Sequence, residues 1–277
     1  MVYKINGNDI VLTDTECLDI GLSVDCGQSF RWTQNEDGSF HGIVKRKSID
    51  IIQNESETVF KNTTKEEFEN IWVPYFDLTR DYKAVCDTFV DEHLKKACDE
   101  FYGIRILKQD EWEAVCSFII SQNNNIPRIK GIISRLCENF GEKINETDYT
   151  FPSYDTLASL EESDLAPLRA GFRNKYILDA ARKFSSKELS IEEIKAMPIE
   201  DARQELMKIK GVGAKVCECA LLYGFGRVEA FPVDVWVKRI MSELYPKGLP
   251  ECTKGVEGIA QQYLFHWRRN SKITKFE

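Results

Sequence analysis

The chain has 277 residues, 43% of them hydrophobic and 30% charged, with a formal net charge of −8. That supplies one large domain or two modest ones with cores of their own, and excludes a disordered or collagen-like chain. No apolar run approaches membrane-spanning length, and the opening Met1-Val-Tyr-Lys-Ile-Asn-Gly7 carries no secretory hydrophobic stretch.

In chain order, residues 1–62 read as strands. Four stretches, 29–33, 40–44, 48–53 and 58–61, alternate apolar and polar residues between the turn clusters Asn35-Glu-Asp-Gly38 and Asn54-Glu-Ser56. They predict an antiparallel meander with one buried face. From residue 64 the period becomes helical. Thr64-x-x-Glu67, Asp110-x-x-Glu113 and Ser190-x-x-Glu193 have the spacing of capping boxes, and Gly103 and Gly141 stand where helices should stop. Helices are predicted over 64–73, 81–90, 94–102, 111–121, 127–140, 155–160, 164–169, 175–185, 191–197, 200–209, 213–223, 235–244 and 256–270. Strands followed by helices make an α+β protein, with a sheet domain at 1–105 and a helical domain at 106–277. The boundary is soft, because the helices between 64 and 102 could pack on the sheet.

Nine cysteines, an odd number without a CxxC pair, read as reduced thiols. His41, His93 and His266 lack metal-ligand spacing, so no metal site is expected. The negative net charge argues against a nucleic-acid partner. Its distribution argues back. Acidic residues gather at 54–70, 91–100 and 161–164, and basic ones at 169–183, 208–215, 238–239 and 268–275. An acidic back and a basic working face fit that pattern, as do ordinary solvated helix faces.

The densest chemistry lies in Leu206-Met-Lys-Ile-Lys-Gly-Val-Gly-Ala-Lys215 and, nineteen residues on, Asp234. A Gly-x-Gly turn between two amphipathic segments predicts a helix-hairpin-helix. Gly211 and Gly213 permit a tight turn and close backbone approach, and the free N–H groups beyond them suit a DNA phosphate. Lys215 falls in the first turn of the second helix, the end that favours carboxylates. That misplacement makes its amine a candidate nucleophile for a sugar carbon. Cys219 shares its helical face four residues on. Asp234 stands before the apolar-periodic run from Val235. It reads as an N-cap, worth about 1 kcal/mol, and equally as an ionised carboxylate able to stabilise oxocarbenium-like charge.

These residues resemble the helix-hairpin-helix-Gly-Pro-Asp superfamily of base-excision DNA glycosylases. More narrowly, the chain resembles the 8-oxoguanine DNA glycosylase/AP lyases over nearly its whole length. The supporting motifs are Gly27-Gln-Ser-Phe-Arg-Trp32, Ser121-Gln-Asn-Asn-Asn-Ile126, Gly171-Phe-Arg-Asn-Lys-Tyr176 and Gly258-Ile-Ala-Gln-Gln-Tyr-Leu-Phe265. The resemblance implies a TBP-like antiparallel sheet domain packed on a helical glycosylase domain. It implies removal of 8-oxoguanine opposite cytosine through a Schiff base at Lys215, then β-elimination. It gives the Gly27 carbonyl the task of accepting a hydrogen bond from N7–H of the oxidised base, which guanine lacks. Gln261 would read the pairing edge, Phe265 would stack on the flipped base, and Cys219 would close the other face.

Asn123, Arg128 and Arg173 match residues that hold the orphaned base. Phe172 matches a wedge that is tyrosine in relatives. Trp236 departs from the histidine that eukaryotic members place near the lesion's phosphate, although its indole N–H remains a donor. Some relatives carry a four-cysteine iron–sulfur loop; only Cys252 lies beyond Cys219, which excludes it here. No cofactor is required, and the hairpin's backbone carbonyls are a candidate seat for a structural cation. The expected partner is duplex DNA with 8-oxoguanine opposite cytosine, met by a monomer in a cytoplasmic setting on bacterial or archaeal nucleoid DNA, with no membrane. Two rivals stay open: a glycosylase for another lesion, such as an alkylated purine, and a non-catalytic hairpin module. Lys215 argues against the first and the Lys215/Asp234 pair against the second.

Overall fold

In the computed structural model, which describes residues 1–270, the N-terminal segment forms a six-stranded antiparallel sheet. The strands are β1 (Tyr3–Asn6), β2 (Asp9–Leu12), β3 (Trp32–Gln34), β4 (Phe40–Val44), β5 (Lys47–Gln53) and β6 (Thr58–Phe60). Their spatial order is β1-β2-β6-β5-β4-β3. The expected meander is β3 to β6. The β1–β2 hairpin, not separately assigned from the sequence, adds to β6 through the register Ile10↔Phe60. Its two-residue Gly7-Asn8 turn is a recognised hairpin signal. A second correction lies between β2 and β3, where Ile20–Val24 is a short helix capped by the Asp19 side chain on Leu22 N–H.

One sheet face is apolar. Ile10, Leu12, Trp32, Ile49, Ile51 and Phe60 are buried against Phe68, Trp72 and Phe76 from the helical stretch after β6. Each large side chain so buried contributes about 1.5–3 kcal/mol. The following helices, Tyr82–Thr88 and Glu92–Glu100, place Tyr82, Leu94, Ala97 and Cys98 in the other, larger core, against Tyr263 and Trp267 of the last helix, Glu257–Asn270. At the centre of this second core runs Glu111–Ser121, buried from Trp112 to Ile120.

Of the three expected capping boxes, only Thr64/Glu67 is reciprocal. Asp110 caps Glu113 N–H at 3.0 Å, but the Glu113 carboxylate does not return the bond. It lies buried, 3.2 Å from Arg31 of the Gly27–Trp32 motif. Burial pushes this carboxyl up while the guanidinium opposes the shift. A buried pair of this kind is costly to break from one side, so it fixes the sheet's end against the helical core. Gln28, fully buried, strengthens the same seam. Its amide donates to the carbonyls of Ser23 (2.8 Å) and Arg105 (2.7 Å), and its Oε1 accepts from Leu107 N–H (2.9 Å). The Gly27 loop is therefore clamped between the two cores.

Candidate active site

The hairpin is made by Ile199–Leu206 and Ala214–Tyr223. Gly211 has φ +81°, and a Cβ there would lie 2.4 Å from the Tyr176 ring. Both conformation and space demand glycine at this point. Gly213 is different: it is the exposed N-cap, with φ −103° and open space around it. The first helical backbone bond runs from Cys217 N–H to the Gly213 carbonyl at 3.0 Å. The N–H groups of Ala214, Lys215 and Val216 thus face outward at the positive end of the helix, the arrangement that receives a phosphate.

Lys215, Cys219 and Tyr223 follow at i, i+4 and i+8 and form one stripe. Lys215 Nζ is half-buried, donates to Ser121 Oγ at 3.2 Å, and stands 5.5 Å from the centroid of the Phe118 ring. Phe118 stacks on Tyr223 with 5.3 Å between centroids. Cys219 is buried, and burial pushes its thiol up to about 11, with the Lys215 amine opposing and Asp234 adding to the rise. Lys215 and Asp234 therefore act on the same small volume from two helix starts. Asp234 is the N-cap of Val235–Glu243, its carboxylate accepting from Val237 N–H at 2.8 Å. Trp236, in the first turn of that helix, has the Arg239 guanidinium 5.2 Å from its ring.

The base-reading candidates converge from the last helix and the clamped loop. Gln261 is buried, and its Oε1 has no hydrogen-bond partner among the described residues. Phe265, one turn on, is half-buried and lies outside both apolar cores. Gly27 has φ +83°, and a Cβ there would meet only Ile126 and Arg269, at 3.9 and 4.0 Å. Conformation, more than space, calls for glycine. Gln262, inside the Gly258–Phe265 motif, carries no sequence signal of a role of its own. It accepts from Tyr223 Oη at 2.5 Å and reaches the Cys26 carbonyl at 3.4 Å. It thereby links the helix that carries Lys215 to the residue before Gly27.

A second cluster surrounds the Asn123 loop. Asn123 is exposed, with φ +45°. Arg128 is exposed, touching Asn124 Oδ1 and the Arg169 carbonyl, both at 3.2 Å. Arg173 is buried, and desolvation, helped by the nearby Arg128 charge, lowers its basicity. Its guanidinium binds the carbonyls of Gln122, Asn123 and Ala170, so in this structure it braces the Asn123 loop. Phe172 is 43% exposed, 4.5 Å under Arg173 and edge-on to Tyr176. Through Tyr176 this cluster touches Gly211. Arg128, Arg169, Lys175, Lys210, Lys238 and Arg239 have no carboxylate within 4 Å among the described residues. The far end of the basic stretch 268–275 lies outside the described residues.

Two family models divide the chain. An 8-oxoguanine DNA glycosylase N-terminal domain matches residues 10–115, and the HhH-GPD superfamily base excision DNA repair protein model matches 116–255.

The chain belongs to the 8-oxoguanine glycosylase branch of the helix-hairpin-helix-Gly-Pro-Asp superfamily.

Its relatives agree. A probable N-glycosylase/DNA lyase of Methanothermobacter thermautotrophicus is 32% identical over 77% of each chain. The 8-oxoguanine glycosylase/lyase of Clostridium acetobutylicum, solved with duplex DNA containing cytosine opposite 8-oxoguanine, superposes with TM-score 0.90. It is 36% identical, covering 97% of this chain and 98% of that one. A 3-methyladenine DNA glycosylase of Archaeoglobus fulgidus shares the fold at 20% identity and TM-score 0.71, covering 95% and 99%. The fold alone is therefore common to glycosylases of different lesions, and the site residues must carry the distinction. Among the described residues of this glycosylase, no His/Cys/Asp/Glu cluster suits a metal ion, and no helix is long and apolar enough to cross a membrane.

Proposed function

We propose that this glycosylase/lyase removes 8-oxoguanine from duplex DNA opposite cytosine, with Lys215 as nucleophile. The observation that carries the reading is the pairing of Lys215 with Asp234 around Cys219, next to a phosphate-receiving helix start. The neutral amine attacks C1′, the bond from C1′ to the base breaks, and Asp234 faces the cationic sugar while that charge lasts. The amine nitrogen then loses its proton and the C1′–O4′ bond breaks, O4′ taking up a proton, which leaves a Schiff base between Lys215 and C1′. This acidifies the C2′ protons, and loss of one of them expels the 3′ phosphate by β-elimination.

The flipped base would lie between Cys219 and Phe265, with Gln261 Oε1 supplied with a donor from its pairing edge. The Gly27 carbonyl would accept N7–H of the oxidised base and repel the guanine lone pair, a difference of about 1–3 kcal/mol. Asn123, Arg128 and the remaining donor of Arg173 would face cytosine, whose O2 and N3 accept, while Phe172 fills the gap left in the stack. Gly211, Gly213 and Trp236 would meet DNA phosphates. A cation would sit on the hairpin carbonyls of Gly211 and Val212, which accept no hydrogen bond among the described residues. The enzyme acts as a monomer in this reading. Lys215→Gln tests it: the variant should bind lesion DNA yet lose base release and borohydride trapping. Trapping at near wild-type yield would assign the nucleophile elsewhere.

A further inference from the structure

Ser121 ends the most buried helix of the molecule, and its hydroxyl is already committed. Oγ lies 2.8 Å from the Phe118 carbonyl, which can only accept, so the single hydroxyl proton points there. The contact with Lys215 Nζ at 3.2 Å must then run from nitrogen to oxygen. We propose that Ser121 is a positioning residue for the nucleophile: it accepts one N–H of Lys215 and so turns the amine's lone pair away from itself. The proposal rests on Lys215 being the nucleophile.

The physical argument has three parts. A lysine side chain has four rotatable carbons, and an unrestrained amine samples many positions. The Ser121 oxygen and the Phe118 ring 5.5 Å away hold it here, with the buried Cys219 thiol beside them. Phe118 is itself immobilised, 2% exposed and stacked on Tyr223. Secondly, no carboxylate lies within 4 Å of Lys215 among the described residues; beside the Cys219 thiol, a weak acceptor, Ser121 offers the one side-chain oxygen seen to accept from this amine. Thirdly, an acceptor that cannot donate leaves the lone pair of the neutral amine unoccupied. A serine free to rotate could donate into that lone pair and block attack; the bond to Phe118 prevents it. The alternative is an ordinary back-bond of a serine at a helix end, with the lysine contact incidental.

The test is single-turnover borohydride trapping on a preformed abasic site, which needs no base pocket. It is run beside lesion-duplex affinity and melting temperature. Ser121→Ala removes the acceptor, Ser121→Thr keeps a hydroxyl, and Lys215→Gln is the control. Ser121→Ala should trap 10- to 100-fold more slowly, on the order expected for a misplaced reacting group. Its affinity and melting temperature should stay near wild type, and Ser121→Thr should recover most of the rate. Trapping by Ser121→Ala at the wild-type rate, or equal losses in the alanine and threonine variants, would overturn the proposal. Undiminished trapping by Lys215→Gln would instead remove the nucleophile on which it rests.

Discussion

Gly211 and Gly213 stand two residues apart in one turn, yet alanine should affect them very differently. At Gly211 φ is +81°, and an L-residue there costs about 1–2 kcal/mol. The new Cβ would also lie 2.4–2.7 Å from three atoms of the Tyr176 ring. That ring is held edge-on to Phe172, so relief means shifting a packed aromatic pair, which costs roughly 1–3 kcal/mol. Gly211→Ala should therefore lose about 2–5 kcal/mol, the two terms together. At Gly213 φ is −103° and nothing lies within 4 Å. Alanine is a poorer N-cap than glycine, but it stiffens the unfolded chain by about 0.4–1 kcal/mol, and the two effects nearly cancel. Gly213→Ala should stay within about 1 kcal/mol of wild type. Urea unfolding of both variants measures the difference through the midpoint at constant slope. Equal stabilities would refute the reasoning, because they would mean that the Tyr176 contact and the positive φ do not constrain the turn.

Asp234→Asn should keep its helix, since asparagine caps as well as aspartate, and should bind lesion DNA while excising it far more slowly; a fall in melting temperature matching the rate loss would favour a purely structural role. Arg128→Ala should flatten the preference for 8-oxoguanine opposite cytosine over adenine, by about 1.5–3 kcal/mol or ten- to a hundredfold in single-turnover rate, with little change in stability. Arg173→Ala should flatten it too, but also destabilise the protein by a few kcal/mol, on the order of one or two lost charged hydrogen bonds, because the carbonyls of Gln122, Asn123 and Ala170 lose their donor. His266 is buried with Nδ1 unpartnered among the described residues. Desolvation and then Arg269 hold its imidazole below the ordinary value of about 6.5, against opposing pulls from Asp25 and Asp19. The unfolded chain therefore binds the extra proton first, and stability falls as pH drops below about 6.5 through the folded value. Melting temperature measured from pH 8 to 5 should show this limb, and His266→Gln should flatten it; an unchanged limb would place the titration elsewhere.

Local physics made much of this protein legible in its amino-acid order. Alternation marked β4 and β5, because one face of that sheet packs and the other is wet. The Gly-x-Gly turn, Lys215 in a first helical turn and Asp234 before an apolar run are short-range patterns that secondary structure places by itself. The β1–β2 hairpin was within reach through its Gly7-Asn8 turn. Other features depended on partners distant along the chain. Glu113 looks like half a capping box, and only Arg31, 82 residues away, shows why its carboxylate turns inward. Ser121 meets Lys215 across 94 residues, and Gln262 meets Cys26 across 236. Arg173 looks like a free cation in the sequence, but burial commits it to backbone carbonyls. Spacing along a helix or strand predicts which side chains share a face. Which face meets which, and which donor is used up before a ligand arrives, is decided when two separate cores close on each other and every buried polar group has to find a partner.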